Sequence, residues 1–246
     1  MEKIISILNN VYRLIDKTSS SDIDCEKGYF LFHKNRYCSI LYILLKLVKK
    51  RKGAKVLDIG SLFCHLPIAI NMLNHKAYGV DLELRPEIIE RCNKFDIINK
   101  KCNLSEMKIP FKDNYFDLVI FSETLEHLNF YPQEIFKDIY RILKPGGIII
   151  VTTPNLLRLN NRIKMLIGKS INYDIKDKYS TATHFREYSS KELFYLMKSA
   201  NFKNLNIYYK DFNYPSNDKF IIIINKIFGF LMPYLRSNLI VIGSKK

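Results

Sequence analysis

Polar residues able to do chemistry stand directly after three apolar segments of this chain. Asp58 and Gly60 follow the first segment, and Asp81 ends the second. Glu123 and His127 follow the third. Glycine lets a backbone approach a ligand where a side chain would clash, and a carboxylate about twenty residues further on accepts two hydrogen bonds from a ribose diol. The pattern therefore predicts a site for a ribose-containing cofactor.

The apolar segments alternate with segments of helical periodicity from Lys55 onward. Such alternation is typical of an α/β fold with a parallel sheet and crossover helices. Ligands of these sheets bind at the carboxyl ends of strands, where the polar residues stand. The predicted strands are 55–59, 77–81, 117–121, 147–153, 204–210 and 238–243, and the predicted helices are 66–74, 86–94, 132–143 and 189–200.

Two more helices are predicted before the sheet. Apolar residues recur at helical spacing over 1–17 and over 35–51, and a polar run over 18–24 separates them. We expect residues 1–52 to form these N-terminal helices and to cover the site as a lid.

Residues 53–246 are expected to form the main domain, with insertions at 155–188 and 211–237. Lys144–Gly147 reads Lys-Pro-Gly-Gly, which predicts a tight turn before the next strand. Ser189 is a predicted N-cap of the helix that follows the first insertion.

Composition limits the class of protein. The chain has 246 residues, 48% of them hydrophobic, and a formal net charge of +15. Nucleic acid or an anionic membrane surface could exploit such a charge. However, the positive residues are spread along a lysine-rich sequence, so nucleic-acid binding is only an alternative.

The cysteines predict a reducing compartment. The five cysteines form no CxxC pair and no ligand cluster with histidine. An odd, unpatterned set favours reduced thiols in the cytoplasm and no metal site. The first residues also lack the apolar core of a signal peptide, which again favours the cytoplasm.

Four motifs occur in order: VLDIG, GVD, IPFKDNYFDLVIFSETLEHL and IYRILKPGGIIIVTTPN. Together they resemble class I S-adenosylmethionine-dependent methyltransferases, over roughly residues 35–210. The resemblance implies a Rossmann-like, doubly wound sheet of seven strands with the last strand antiparallel, and S-adenosylmethionine as the cofactor. A dinucleotide-binding dehydrogenase is the structural rival, but it usually carries GxGxxG after the first strand, and this loop has one glycine.

The resemblance also implies roles for single residues. The loop from Asp58 to Cys64 would wrap the methionine part of the cofactor. Asp81 would bind ribose, and Asn103 would lie beside adenine. The cofactor-binding residues implied in this way are Asp58, Gly60, Ser61, Phe63, Asp81, Leu82, Asn103, Leu104 and Glu123.

The loop departs from the family at two positions. Relatives usually repeat glycine where this chain has Leu62 and Cys64. The cofactor has a sulfonium group and no phosphates, so a pyrophosphate cradle is unnecessary. We expect the cofactor to bind if Leu62 points away from it; a domain that has lost the cofactor is the alternative.

His127 stands about one helical turn after Glu123. Histidine exchanges protons near neutral pH, so His127 is a candidate general base for an acceptor hydroxyl. The alternative is a histidine that bonds to the backbone and shapes the cleft.

A second candidate group is His184, Arg186 and Tyr188. Similar His-x-Arg-Glu-Tyr segments occur in bacterial methyltransferase-like proteins encoded with surface-polysaccharide genes. The resemblance implies that His184 is catalytic and that Arg186 and Tyr188 bind the acceptor. Arg186 could bind a phosphate or carboxylate bidentately. The alternative is a surface pair of Arg186 with Glu187 beside a packed tyrosine.

Residues 219–236 are unusually apolar. The segment is too short and too interrupted by polar residues to span a bilayer. A helix packed on the sheet edge is one interpretation, and peripheral contact with a membrane or a lipid-linked substrate is the other.

These observations favour methyl transfer from S-adenosylmethionine to a small or glycan-like acceptor, at a hydroxyl, by in-line displacement. The positive charge leaves RNA methylation open as an alternative. Leu62 and Cys64 leave open a degenerate scaffold or binding protein with a methyltransferase fold.

Overall fold

The computed structural model describes residues 1–15, 23–49, 51–106, 108–172, 184–213 and 219–246. Most of the predicted polar break at 18–24 lies outside the described residues, and so do parts of both predicted insertions.

The described residues form eight α-helices and seven β-strands. The helices are α1 (Glu2–Ile15), α2 (Ile23–Leu47), α3 (His65–Met72), α4 (Pro86–Asn93), α5 (Gln133–Ile142), α6 (Leu159–Leu166), α7 (Ser190–Ser199) and α8 (Lys219–Leu231). The strands are β1 (Lys55–Ile59), β2 (Lys76–Asp81), β3 (Ile98–Lys101), β4 (Phe116–Ser122), β5 (Leu143–Pro154), β6 (Lys203–Lys210) and β7 (Asn238–Ser244).

The strands form one seven-stranded sheet in the order β3-β2-β1-β4-β5-β7-β6. β1 and β2 pair in parallel, and so do β2 and β3. β6 and β7 pair antiparallel. This order confirms the predicted α/β, Rossmann-like sheet of seven strands with the last strand antiparallel.

Two predicted boundaries are wrong. α2 begins at Ile23, twelve residues before its predicted start, because Glu26 and Phe30 in the added turns are buried against other elements. β5 begins at Leu143 and therefore includes the segment expected to be a turn. A tight bend still occurs there, since Gly146 has a φ of +72°.

The N-cap prediction for α7 is confirmed. The Ser189 side chain accepts a hydrogen bond from the Glu192 backbone N–H, and the Glu192 carboxylate accepts one from the Ser189 backbone N–H. This reciprocal capping box satisfies two backbone donors that a helix start leaves unpaired.

The chain divides into two compact units. The first comprises Met1–Ile120 and Arg141–Ile148. The second comprises Phe121–Tyr140 and Ile149–Lys246. The expected separation of residues 1–52 as a lid stays a prediction.

A buried ion cluster joins three helices of the first unit. Glu26 of α2 accepts hydrogen bonds from both terminal nitrogens of Arg91 in α4, and its Oε1 lies 2.7 Å from His65 Nε2 in α3. All three side chains are buried. Burial raises the pKa of Glu26, but the hydrogen bonds and charges of His65 and Arg91 outweigh it and bring that pKa down to about 2.

Because the folded state lowers this pKa, Glu26 contributes stability that is complete above the unfolded value near 4.5 and is lost as pH falls toward 2. Glu26→Gln leaves Arg91 buried without its counter-charge, so we expect it to lower the free energy of unfolding by about 3–5 kcal/mol at pH 7. The deficit should shrink as pH falls from 5 to 2. Urea titrations across this pH range measure both effects.

The matched control is Glu90→Gln, which removes the carboxylate of an exposed pair with Lys94 on α4. Its unfolding should match that of the wild type at every pH. A deficit for Glu26→Gln that does not change with pH would contradict the assignment.

Candidate functional site

The loop after β1, residues 60–64, begins at the carboxyl end of the strand. Ile59 is in register with Val80 of β2. Both Gly60 N–H and Ser61 N–H donate to the Val80 carbonyl, at 2.9 and 3.1 Å. The loop therefore remains tied to β2 as the chain leaves the sheet, and Gly60 makes the turn with a φ of +77°.

Asp81, the last residue of β2, ties the middle of this loop. Leu62 N–H donates to Asp81 Oδ2 at 2.7 Å. The Leu62 side chain is 37% exposed, so it turns outward from the loop. Burial raises the pKa of Asp81, and backbone hydrogen bonds from Leu62 and its neighbours oppose that rise. Asp81 is therefore a partly desolvated carboxylate at a strand end.

Leu62 and Cys64 occupy the left-handed backbone region that glycine adopts most readily. Their φ angles are +41° and +58°. Left-handed backbone costs an L-residue roughly 1–2 kcal/mol, so local ties must offset that cost. Besides the Leu62 bond, Cys64 N–H donates to the Ser61 carbonyl at 2.7 Å. The chain thus keeps the glycine-type loop shape without the glycines.

Side-chain contacts with Asn99 of β3 support the same loop. Cys64 is fully buried, and its Sγ accepts a hydrogen bond from Asn99 Nδ2 at 3.0 Å. Ser61 Oγ donates to Asn99 Oδ1 at 3.1 Å. A Cβ on Gly79 would lie 2.5 Å from that Oδ1 and 2.8 Å from Ser61 Oγ. Glycine at position 79 therefore makes room for the groups that support the loop.

The loop uses its backbone donors within the protein. The N–H groups of Gly60, Ser61, Leu62 and Cys64 all donate to acceptors of the loop or of β2. A pyrophosphate cradle needs such donors to point at the ligand. The arrangement therefore disfavours a dinucleotide and suits a ligand without phosphates.

A second carboxylate and a guanidinium lie near each other in the first unit. Burial raises the pKa of Asp58 well above its usual range; the charge of Arg36 opposes this rise and that of Asp81 adds to it. Arg36 is 3% exposed, and its Nη2 lies 3.4 Å from the Tyr29 hydroxyl. The first unit thus brings together groups of both charges.

The remaining predicted cofactor residues of the first unit have varied surroundings. Leu82 is 55% exposed. Asn103 Oδ1 accepts local hydrogen bonds from the backbone and side chain of Ser105, at 3.1 and 2.8 Å. The Phe63 ring stacks on the buried His65 ring, with centroids 5.3 Å apart. Leu104 is half-buried. Their role in binding stays a prediction.

In the second unit, Glu123 follows β4 and is fixed by β5. Its backbone N–H donates to the Thr152 carbonyl at 2.9 Å, and its Oε1 accepts from Thr152 Oγ1 at 3.0 Å. Glu123 has a φ of +50°, which is uncommon for a residue other than glycine. The backbone and the β5 hydroxyl therefore set the direction of this carboxylate.

The two predicted histidines lie together in the second unit. His127 ends a short 3-10 helix, Leu125–His127. The Glu126 carbonyl accepts hydrogen bonds from the N–H groups of Phe185 and Arg186, at 2.8 and 3.3 Å. As a result the rings of His127 and His184 meet edge to face, with centroids 5.0 Å apart.

Glu126 belongs to the same group. Its side chain is fully buried, and Thr153 Oγ1 donates to its Oε2 at 2.9 Å. One ligand-type atom from each of Glu126, His127 and His184 lies within 4.8 Å of the others. We call these three residues the histidine cluster. No local signal in the sequence points to the set, because His184 lies far along the chain from Glu126 and His127.

Glu187 supports His184 and does not pair with Arg186. Arg158 and Asn161 both donate to Glu187 Oε2, and His184 Nδ1 lies 3.5 Å from Oε1. Burial raises the pKa of Glu187, but the hydrogen bonds of His184, Arg158 and Asn161 outweigh it, and that pKa falls to about 2. The alternative of an Arg186–Glu187 surface pair is therefore wrong.

Arg186 and Tyr188 line a cavity of about 700 Å³ in the second unit. Arg186 pairs with Glu192 and lies over the Tyr188 ring, 5.4 Å from its centroid. Tyr188 is buried, and burial raises its pKa. The cavity walls are largely aromatic and apolar, with three charged groups. The lining residues are Leu128, Asn129, Phe130, Tyr131, Pro132, Phe185, Arg186, Tyr188, Lys191, Glu192, Tyr195 and Leu196.

The apolar segment 219–236 exposes much of its hydrophobic surface. In α8, the side chains of Ile223, Ile227, Phe230 and Leu231 are each more than half exposed. Across the residues described above, none of the helices combines the length and hydropathy needed to cross a bilayer.

Comparison with known proteins agrees with this architecture. The profile of a family described as "Methyltransferase domain" matches residues 32–207. An uncharacterized protein of Methanocaldococcus jannaschii is 33% identical over 113 residues, which are 46% of each chain. The mitochondrial ubiquinone biosynthesis O-methyltransferase of Mus musculus is 27% identical over 130 residues, 50% of this chain and 35% of that one. The chain thus spans less than half the length of either relative.

A solved structure shares the fold. It is described as an S-adenosylmethionine-dependent methyltransferase, possible histamine N-methyltransferase, from Thermotoga maritima. The match covers 91% of this chain and 96% of that one, with a TM-score of 0.59 and 21% identity. At this identity the likeness concerns the fold alone.

The loop geometry predicts an unusual response to glycine. Leu62→Gly should remove the strain of the left-handed backbone at this position. Glycine also raises the conformational entropy of the unfolded chain, but this cancels only part of the gain in stability. Leu62→Ala should keep the strain, because alanine still has a Cβ. We therefore expect the glycine variant to be more stable than the alanine variant by about 1 kcal/mol. Urea unfolding of both variants measures this difference, and a less stable glycine variant would disprove the strained loop.

Proposed function

Because the chain belongs to the class I S-adenosylmethionine-dependent methyltransferase family, we propose that it transfers the cofactor methyl group to a hydroxyl of a small or glycan-like acceptor. The acceptor oxygen attacks the methyl carbon in line with its bond to sulfur, and S-adenosylhomocysteine leaves. The observation that carries the proposal is the β1 loop, which keeps glycine-type φ angles at Leu62 and Cys64 and directs its backbone donors into the protein.

The first unit supplies the cofactor-binding groups. Asp81 accepts hydrogen bonds from the ribose hydroxyls while it ties Leu62, since a carboxylate has about four acceptor sites. Arg36 and Asp58 bind the carboxylate and the ammonium of the methionine part. Both side chains are buried, and the ligand's ammonium would favour the charged form of Asp58, whose pKa burial raises. The partial desolvation of Asp81 strengthens such contacts.

Adenine contacts come from Leu82, Asn103 and Leu104. The exposed Leu82 side chain offers an apolar face for the base. Asn103 bonds the adenine amino group once its oxygen leaves Ser105. Phe63 borders the methionine part from its position in the loop, and Glu123 contributes a carboxylate to the same part of the cofactor.

The second unit supplies the acceptor groups. His127 and His184 activate the acceptor hydroxyl, and the rate depends mainly on alignment of the oxygen with the methyl group. Aromatic rings of the cavity, Tyr188 among them, stack on the faces of a sugar or an aromatic ring. Arg186 binds an acidic substituent of the acceptor.

We place the protein in the surface-polysaccharide-associated subgroup and in the cytoplasm. The His-x-Arg-Glu-Tyr segment from His184 to Tyr188 supports the subgroup, and the five free cysteines suit a reducing compartment. The exposed apolar residues of α8, beside Lys226 and Arg236, support peripheral contact with an anionic membrane. Sedimentation with anionic vesicles tests this contact, and recovery of all protein in the supernatant would disprove it.

The first experiment measures cofactor binding by calorimetry. Asp81→Asn keeps one acceptor for Leu62 N–H but removes the charge and half of the acceptor capacity. We expect it to weaken S-adenosylmethionine binding about ten- to hundredfold, since a hydrogen bond to a charged group contributes about 1.5–3 kcal/mol. Glu83→Gln, an exposed neighbour, is the control and should bind as the wild type does. A folded wild type that does not bind would favour the scaffold alternative.

His127→Ala should lower turnover about a hundredfold or more, because positioned proton transfer contributes on that scale. Cofactor affinity should stay within twofold. Release of S-adenosylhomocysteine, measured over a panel of hydroxylated acceptors and RNA, gives turnover. Unchanged turnover would remove His127 from catalysis. Activity on RNA alone, with binding that weakens steeply as salt rises, would support the RNA alternative.

A further inference from the structure

We propose that the histidine cluster, Glu126, His127 and His184, binds one divalent transition-metal ion such as Zn²⁺ or Mn²⁺. The sequence pattern led us to expect no metal site, because the five cysteines form no CxxC pair and no ligand cluster with histidine. Binding of the ion does not depend on the proposed methyl transfer, because it can be measured without S-adenosylmethionine and without an acceptor.

The spacing of the donor atoms suits a single ion. Each residue offers one ligand atom, and these atoms lie within 4.8 Å of one another. Two metal bonds of about 2.1 Å at a tetrahedral angle separate their ligand atoms by about 3.4 Å. The widest pair must therefore approach by no more than about 1.4 Å, the difference between these figures. Rotation of the side chains about their own torsions supplies such a shift.

The backbone brings the three ligands together without help from an ion. Glu126 and His127 are consecutive in the 3-10 helix. His184 is positioned from the far segment because the N–H groups of Phe185 and Arg186 donate to the Glu126 carbonyl. A site assembled in this way loses little conformational entropy when the ion binds.

Neighbouring groups orient the ligands as they do in metal sites. Metal-bound histidines usually donate their second ring N–H to a carboxylate. His184 Nδ1 lies 3.5 Å from Glu187 Oε1, and Glu187 is itself fixed by Arg158 and Asn161. This contact favours the tautomer with its proton on Nδ1 and a lone pair on Nε2. Thr153 Oγ1 orients the Glu126 carboxylate in a similar way.

The donor set selects the class of ion. Two imidazole nitrogens and one carboxylate suit Zn²⁺, Mn²⁺, Fe²⁺ or Co²⁺, whereas Mg²⁺ and Ca²⁺ prefer oxygen donors. Burial of the Glu126 carboxylate also favours a cationic ligand. Three protein ligands leave coordination positions open. If the proposed function holds, an acceptor oxygen would occupy one of them; the ion would lower the pKa of that hydroxyl, and the proton would pass to solvent in place of direct transfer to a histidine.

The test uses chelator-treated full-length protein titrated with Co²⁺, whose absorption reports its ligands. We expect one equivalent to bind with a micromolar or lower Kd, and Zn²⁺ to displace it. His127→Gln and His184→Gln should each weaken binding at least tenfold. Glu187→Gln changes no ligand of the ion but weakens the support of His184 and of Arg158, and it should weaken binding less. His75→Gln changes a histidine outside the cluster and should bind Co²⁺ as the wild type does.

Several results would overturn the proposal. The first is that the wild type binds no stoichiometric Co²⁺. The second is a thiolate charge-transfer band, which indicates cysteine ligands. The third is that the His127 and His184 variants bind Co²⁺ with the affinity of the wild type. Circular dichroism checks that each variant is folded, and Glu187→Gln keeps the test decisive if a ligand variant does not fold. S-adenosylmethionine binding is measured on the same samples. If the protein binds S-adenosylmethionine but not Co²⁺, the proposed metal site is disproved and the proposed methyl transfer is unaffected.

Discussion

The hydrogen bond from the Leu62 N–H to the Asp81 carboxylate is the constraint on which the first unit's site depends. It joins the loop after β1 to the last residue of β2, and it helps to offset the cost of left-handed backbone at a residue with a side chain. The same carboxylate must also face a ligand, which is why its partial burial matters: a desolvated acceptor gains more from each hydrogen bond than a hydrated one.

The use of backbone donors explains why this loop needs few glycines. Loops that bind phosphates must direct several N–H groups outward, and glycine makes that possible. Here the N–H groups of Gly60, Ser61 and Cys64 donate to carbonyls of the protein, as Leu62 donates to Asp81. A sulfonium cofactor has no phosphate groups that need hydrogen bonds from these donors. The loop therefore only has to keep its shape, and outward-facing leucine and a small buried cysteine are compatible with that shape.

In the second unit a single backbone carbonyl holds two segments together, as the Leu62–Asp81 hydrogen bond does in the first unit. The Glu126 oxygen accepts two N–H groups from the segment after His184 and so brings two distant stretches of chain into contact. The half-buried Glu187, with its low pKa, stays charged across the physiological range and keeps Arg158, Asn161 and His184 around it. Both polar centres of the protein thus rest on backbone ties reinforced by carboxylates, and their side chains are oriented before any ligand arrives.

The resemblance to a known family implied the seven-stranded sheet. The sequence by itself determined the α/β class, six of the strands, the N-cap of α7 and the strand ends that carry Asp58, Asp81 and Glu123. These follow from local periodicity and local hydrogen bonding, which a short window of residues records. Only the tertiary structure decided the early start of α2, the φ angles of the β1 loop, the partner of Glu187 and the meeting of Glu126 with two histidines. Each of these depends on burial or on a hydrogen bond between residues far apart in the chain, and no local pattern encodes such a contact.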